Sequence, residues 1–534
     1  MTAVPDNTPI LIGVGQASER PDSPGYAQRS PTDLAADAAR AACADALSLA
    51  ALAPLIDAVY AVRTMADSLP EPQRAPHAPF GGPDNVPRAV ARRIGANPLR
   101  AVYSPSCGDE PQRLVGEACA RLATGELGLV LLCGGEAIST TRLAKSNGLS
   151  LDWAEQVPGE LDDRRGNIGV LRTPHMLDHH MQRPPTIYPL LEHARRARLG
   201  LSRADYARSM GELMAPFSVV AAANPHSAGR KTWTPAQIAQ IGADNRMVAD
   251  PHPISVVARD QVNQGAALLL TTVGTARVLG VPEAKWVYLH GHSAVDERMV
   301  LERQDLGRSP AMALAYAQAL DEAGIAMDEI RHLDLYSCFP IAVFAATDLL
   351  GLRANDPRGL TLTGGLPYFG GAGNNYAMHA IAELALRLRA DPGSLGLVGA
   401  NGGLLSSHAV GVYSTTPRRF KPCDSGPQQA QINALPAPAF TPQPQGWARV
   451  ETYTVLHDKP HDKRHDKVVP REVILVGRLE ATDERFIALS QADDAATLAA
   501  FADAARPDPL HLRVFVRSQQ GRNAFALDSG AGAP

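Results

Sequence analysis

The chain has 534 residues, 45% of them hydrophobic, and a formal net charge of −4. That length supplies more than one domain and a large buried core, and the charge excludes the basic footprint of a nucleic-acid or membrane-surface binder. Six cysteines, at 43, 107, 119, 133, 338 and 423, fit neither a zinc spacing nor a disulfide framework, so no metal is expected. The longest apolar runs fall short of the roughly 18 residues that span a bilayer, and the N-terminus lacks a secretion signal; a cytoplasmic enzyme is the expectation.

In chain order, residues 8–15 read as a strand entering a glycine turn. Residues 31–50 read as a helix, with Pro31 near its start and Thr32 as its N-cap. A strand is expected at 56–62 and a helix at 85–94. Ser106-Cys107-Gly108-Asp109 then opens an alanine-rich helix to Ala123, followed by the apolar run 127–132 and Cys133-Gly134-Gly135-Glu136. Residues 140–248, rich in Arg, His and Pro, predict a mostly helical insertion or lid. Regular structure resumes at 253–272 with a Gly-Ala turn before a buried strand. Helix 309–323 has Ser309 as N-cap, Pro310 at its first position and Gly324 at its end. Residues 328–339 give a strand that runs into a site-like turn.

Gly370-Gly371-Ala372-Gly373-Asn374-Asn375 repeats the grammar of the Cys107 segment: loop, helix (376–389), apolar run, and the glycine turn Gly402-Gly403. A duplicated α/β unit explains the pair, with two helix N-termini and two glycine turns near a common axis. The Pro- and Gln-rich stretch 415–446 reads as a linker or surface strap. Beyond it, strands at 448–455, 468–479, 485–489 and 511–516 and a helix at 494–505 fit a small five-stranded barrel. The resulting division is 1–275, 276–418, a linker at 419–446 and a barrel at 447–525.

Several segments resemble the thiolase superfamily: Cys107 with Pro111-Gln112, Gly134-Gly135-Glu136-Ala137-Ile138-Ser139, Asn263-Gln264-Gly265-Ala266-Ala267, Tyr336-Ser337-Cys338-Phe339 and the stretch 364–372. Asp334-Leu335-Tyr336-Ser337-Cys338-Phe339-Pro340, Gly364-Gly365-Leu366-Pro367-Tyr368-Phe369-Gly370-Gly371, Asn374-Asn375-Tyr376 and Asn401-Gly402-Gly403 with His408 are similar to a bacterial branch of thiolase-like proteins, type 1, that carries an added C-terminal domain. The resemblance implies a duplicated, layered α/β/α/β/α fold with an inserted lid and an OB-like β-barrel. It implies acetyl-CoA acetyltransferase-type chemistry on a CoA ester, which is substrate, with no cofactor. It leaves open both a homodimer and a protein partner bound through the C-terminal domain.

The departures from the family pattern are specific. The Gly-His-Pro histidine falls on Gly371, the second catalytic cysteine on Ala400, and the Asn or His of the third motif on Tyr336. Cys107 is thus the retained nucleophile, at a helix start that favours a thiolate, opposed by the charges of Asp109 and Glu110. His408 and His379 are candidate bases. Asn374, Asn375, Gly371, Gly402 and Gly403 are candidates for the oxyanion and substrate region. Tyr336 could instead protonate an enolate or hold a carbonyl in a carbon–carbon lyase, and a non-catalytic acyl-CoA-binding protein is the remaining alternative. Arg195, Arg196 and Arg198 are candidate partners of CoA phosphates. His175, His179 and His180 read as non-metal histidines, and the mixed-charge run 457–467 as a solvated hairpin tip.

Overall fold

The computed structural model describes residues 4–165, 171–458, 468–519 and 521–527. Most of the run 457–467 therefore lies outside the described residues. The strands of the first half are β1 (Pro9–Ser18), β2 (Ala58–Ala61), β3 (Arg100–Tyr103), β4 (Leu129–Ala137), β5 (Asp162–Asp163), β6 (Met247–Ala249), β7 (His252–Pro253) and β8 (Asn263–Thr272). The second half adds β9 (Val287–Asp296), β10 (Ile330–Leu335), β11 (Leu395–Gly402) and β12 (Ser407–Ser414). The C-terminal region holds β13 (Gln445–His457), β14 (Pro470–Leu479), β15 (Arg485–Ser490), β16 (Arg513–Gln519) and β17 (Arg522–Leu527).

The duplication is visible in strand topology. β2–β4 is parallel, while β4–β8 and β8–β1 are antiparallel. The same sequence of pairings recurs as β10–β11, β11–β12 and β12–β9. The two sets meet where Ile10 and Leu11 of β1 pair with Tyr288 and Val287 of β9, giving one ten-stranded sheet. Each set has a helix after its first strand, Pro31–Ala46 and Pro310–Ala323, and a second helix before its parallel-paired inner strand, Glu110–Ala123 and Tyr376–Ala390. The two second helices sit between the halves. Leu114, Val115 and Ala118 share a buried cluster with Met378, Ile381 and Leu384. The outer edge at β3 is covered by β5, anchored by the ion pairs Arg63–Asp163 and Arg164–Glu117.

Local signals explain most boundaries. Ser309 caps its helix through Met312 N, Pro310 opens it and Gly324 closes it in the left-handed region. The first helix differs from expectation. Ser30, not Thr32, is its N-cap, forming a capping box with Asp33, and the helix stops at Ala46 before Ser48 caps a separate turn. The 415–446 stretch contains a helix, Gly426–Asn433, which its proline and glutamine content concealed.

The segment between β4 and β8 is mainly helical, with Pro184–Leu199 and Arg203–Ala223 its longest elements. The C-terminal strands run β13–β14–β15–β17–β16 and return to β13, so the barrel closes on itself and leaves no edge. β17 was not anticipated: it is short and follows the Gly521 turn directly. The short lid strand β6 pairs with β13, which joins lid to barrel. Among the described residues, no single helix is long and apolar enough to cross a membrane.

Candidate active site

Three strand ends converge on one point. After β3 the chain passes through residues 104–106 to Cys107, just ahead of the helix Glu110–Ala123. After β10 comes Tyr336, whose N–H donates to the Gly399 carbonyl of β11 at 3.0 Å. β11 itself ends in Asn401 and Gly402. Carboxyl ends of strands are where open α/β sheets place their ligands.

Contacts at this point are tight. A methyl group on Gly402 would lie 2.2 Å from Cys107 Sγ and 2.7 Å from Asp109 Oδ1. A methyl on Gly108 would lie 2.6 Å from both Tyr336 Oη and the Asn401 carbonyl. Cys107 keeps partial exposure, whereas Cys43, Cys119, Cys133 and Cys338 are buried.

The electrostatics favour a protonated thiol. Asp109 Oδ2 accepts from Arg113 Nε at 2.6 Å and from Ser407 Oγ at 2.9 Å. Burial alone would raise the Asp109 pKa, but Arg113 and the hydrogen bonds from Cys107, Arg113 and Ser407 outweigh it and hold the carboxyl below its usual range. Burial pushes the Cys107 thiol well above its usual value, and the Asp109 charge and hydrogen bond, then Glu110, push it further. Glu110 is itself raised to about 8, by burial and then by Asp109. The opposing influences read from the sequence thus resolve against the thiolate. Burial also holds the Tyr336 phenol well above its ordinary pKa, so it is a proton donor at neutral pH.

Neither candidate base reaches the sulfur in a useful state. His408, on β12, bonds Ser309 Oγ through Nε2 at 2.9 Å, and His379 bonds Gln16 Oε1 through Nδ1 at 2.7 Å. Both are fully buried, and burial drives both to about 3, which makes them feeble proton acceptors. The proposed oxyanion donors are also committed elsewhere. Asn374 Nδ2 donates to the Arg63 carbonyl at 2.8 Å and to Ser68 and Ser106, and Asn375 Nδ2 donates to the Gly134 carbonyl at 2.9 Å. Gly371 N donates to the Arg259 carbonyl at 2.7 Å. What faces Cys107 instead is Gly402. Its neighbour Gly403 lies in the left-handed region, with φ +62°, and its carbonyl accepts from Tyr188 Oη at 3.3 Å.

The arginines of the lid have protein partners. Arg195 forms a bidentate pair with Asp348 at 2.9 and 2.7 Å, and Arg198 joins the same carboxylate at 2.9 Å. Arg196 is 1% exposed, pairs with Asp508 of the barrel and donates to His193 Nδ1 at 3.0 Å. Burial and pairing, rather than phosphate contact, account for Arg195 and Arg196. His179 uses both ring nitrogens, one on the His175 carbonyl at 2.7 Å and one accepting from Asn523 N at 2.9 Å.

Sequence reasoning missed Tyr188 altogether. Its hydroxyl accepts from Leu405 N at 2.9 Å and from Asn401 Nδ2 at 3.3 Å, and its ring stacks on Phe339. A tyrosine in a helical lid carries no signal of such a role. Ser407 and Arg113 were also missed, for they matter only through Asp109.

Known proteins agree with this architecture. A model of the thiolase-like protein type 1 additional C-terminal domain matches residues 427–517. A crystal structure of a monomeric SCP2-thiolase-like protein type 1 from Mycobacterium smegmatis is 40% identical, covers 98% of this chain and 100% of its own, and superimposes with a TM-score of 0.82. The Ltp2–ChsH2(DUF35) aldolase shares 18% identity over 78% of this chain and 100% of its own, with a TM-score of 0.56. The dimeric peroxisomal thiolase of Saccharomyces cerevisiae shares 14% over 77% of this chain and 98% of its own, with a TM-score of 0.53. At those lower identities the likeness is one of fold. No curated protein matches the chain. With the M. smegmatis protein matched along nearly its entire length and the added domain in place, the chain belongs to the thiolase-like protein type 1 family of the thiolase superfamily.

Proposed function

We propose that this protein is an acyl-CoA acyltransferase of the acetyl-CoA acetyltransferase type that takes its acyl group on Cys107. The observation that carries the reading is the placement of a partly exposed Cys107 at the strand ends, with its sulfur against Gly402 and the Tyr336 hydroxyl against the next residue, Gly108. The thiolate, formed by loss of its proton to solvent, attacks the thioester carbonyl. A sulfur–carbon bond forms to Cys107, the bond to the CoA sulfur breaks, and CoA leaves as a thiolate that takes up a proton. Tyr336, a neutral phenol beside Gly108, donates to the carbonyl oxygen as negative charge develops there. The raised thiol pKa makes this transfer slow at neutral pH, with a rate that climbs as pH rises. Claisen condensation is weak, because the two candidate bases, His379 and His408, are held at about 3 by burial; a working base contributes ~10²–10⁴-fold.

A second reading, a carbon–carbon lyase on a larger acyl-CoA, is favoured by the same phenol. There solvent takes the 3-hydroxyl proton as the Cα–Cβ bond breaks to a carbonyl product and the acyl-CoA enolate, Tyr336 protonates that enolate at carbon and regains its proton from solvent, and Cys107 is a bystander. The Ltp2–ChsH2(DUF35) assembly of similar fold is an aldolase. One pair of variants separates the readings across a panel of acyl-CoA and 3-hydroxyacyl-CoA esters. Loss of acyl exchange in Cys107→Ala supports the transferase. Cleavage that survives Cys107→Ala and disappears in Tyr336→Phe replaces it with the lyase. Saturable ester binding with no turnover on any ester in the wild type removes both.

A further inference from the structure

We infer that the C-terminal barrel is a positioning element for the Cys107 site, acting through two buried arms on the turn Gly402–Ser406. The inference rests on the reading of Cys107 as the reactive centre, and its test reads the geometry of that centre without any acyl-CoA.

The first arm begins at Arg485, at the start of β15, which is 0% exposed. Its guanidinium is held by Glu451 of β13 and donates out of the barrel to the carbonyls of Leu301 at 2.7 Å, Arg303 at 2.6 Å and Gln304 at 3.3 Å. Arg303, also buried, donates in turn to the Arg298 carbonyl at 3.0 Å and to the Leu404 carbonyl at 3.1 Å, inside the turn. Its Nη1 has no hydrogen-bond partner among the described residues. A buried guanidinium held by carbonyls, without a paired carboxylate, is costly to keep. Fixing the turn is what this one does.

The second arm runs through the helix Pro184–Leu199. Thr452 of β13 donates to the Leu190 carbonyl at 2.6 Å, Tyr453 stacks on His193 with ring centres 4.3 Å apart, and Asp508 pairs with Arg196. Two residues before Leu190 on that helix, Tyr188 accepts from Leu405 N and donates to the Gly403 carbonyl. The barrel thus grips the turn through the Leu404 carbonyl on one arm and through the Gly403 carbonyl and Leu405 N–H on the other. The same turn holds Gly402 against Cys107 Sγ and Asp109. Tyr188, Arg303, Thr452 and Arg485 are positioning residues, since none of them touches the sulfur.

The test is the pH profile of Cys107 alkylation by iodoacetamide, read on the Cys107 peptide by mass spectrometry so that Cys423 does not contribute. Arg303→Met and Thr452→Val, each removing one arm, are compared with Phe525→Leu, a barrel-core change that removes none of the hydrogen bonds of either arm and is separated from Tyr453 by the ring of Phe501. The expected result is a shift of the profile to lower pH and at least about a threefold faster reaction at pH 8 in Arg303→Met and Thr452→Val, with the Phe525→Leu profile unchanged even as its Tm falls. Thr452→Val is close to isosteric, so it decides the matter if Arg303→Met does not fold. Profiles of the arm variants that superimpose on wild type, or a Phe525→Leu profile that shifts equally, overturn the inference. Alkylation proceeds whether or not Cys107 is ever acylated, so this failure is distinct from failure of the proposed function.

Discussion

Gly402 stands so close to Cys107 that a single added methyl group would lie 2.2 Å from the sulfur. No real side chain tolerates that separation, so either the β11 turn or the thiol must move. Gly402→Ala is therefore expected to lower acyl-adduct formation on Cys107 at least about tenfold and to cost about 1–3 kcal/mol of stability by overpacking. Adduct mass after incubation with acyl-CoA, together with a denaturation midpoint, checks both. Wild-type adduct formation in Gly402→Ala would show that the turn does not shape the site.

Asp109 restrains the sulfur. Its carboxylate repels the thiolate, and it is itself kept ionised by Arg113 and Ser407. Asp109→Asn should bring the Cys107 alkylation profile down in pH and accelerate alkylation at pH 8 by about tenfold, the change expected for one pKa unit. An unchanged or upward-shifted profile would show that the carboxylate does not set the thiol.

Stability is expected to fall between pH 6.5 and pH 8. Burial raises both Glu110, where Asp109 adds to it, and Glu136 to about 8. A folded pKa above the unfolded value means the native state holds the extra proton. Stability is then fully present below about 4.5 and is lost as pH rises through about 8. On the acid side, buried His379 and His408, lowered to about 3, contribute stability above about 6.5 that is lost as pH drops. Glu136 accepts from Met65 N at 2.6 Å, a bond that a glutamine oxygen can keep. Glu136→Gln should flatten the decline of Tm between pH 6.5 and 8, and a slope as steep as wild type would contradict the assignment.

The pair Arg196–Asp508 joins lid to barrel across 312 residues of sequence. Asp508→Asn leaves a nearly fully buried guanidinium without its carboxylate and should cost about 3 kcal/mol. Thermal denaturation would register the loss. A change within about 0.5 kcal/mol would mean that His193 and the Leu201 carbonyl suffice for Arg196.

Much of this site is legible in the sequence because glycine, cysteine and proline punctuate it. Cys107 ahead of its helix, the Gly402 turn and the Ser309-Pro310…Gly324 helix each carry a local backbone requirement that can be read without tertiary contacts. Residues whose role depends on partners far along the chain are opaque. Arg196 looks like a phosphate ligand until Asp508 is placed beside it, and Tyr188 looks like any helix tyrosine until the 402–406 turn arrives. His379 and His408 have the right chemical type for a base, but complete burial removes their basicity, and burial is a property of the fold. Asn374 and Asn375 sit where donors were expected, yet their amides are already given to backbone and hydroxyl oxygens. The barrel was readable as alternating strands, whereas its hold on the active-site turn emerges only from Arg485 and Thr452 in three dimensions.

On the proposed reading, the sulfur of Cys107 accepts an acyl group. Incubating the protein with acetyl-CoA carrying a heavy-isotope acetyl group at pH 8–9, then digesting and sequencing the peptides by mass spectrometry, tests it most directly. The expected product is a labelled acetyl thioester on Cys107 that hydroxylamine removes, that forms faster in Asp109→Asn, and that is absent in Cys107→Ser. Label confined to Cys423 or to lysines, with Cys107 unmodified across that pH range, would contradict it.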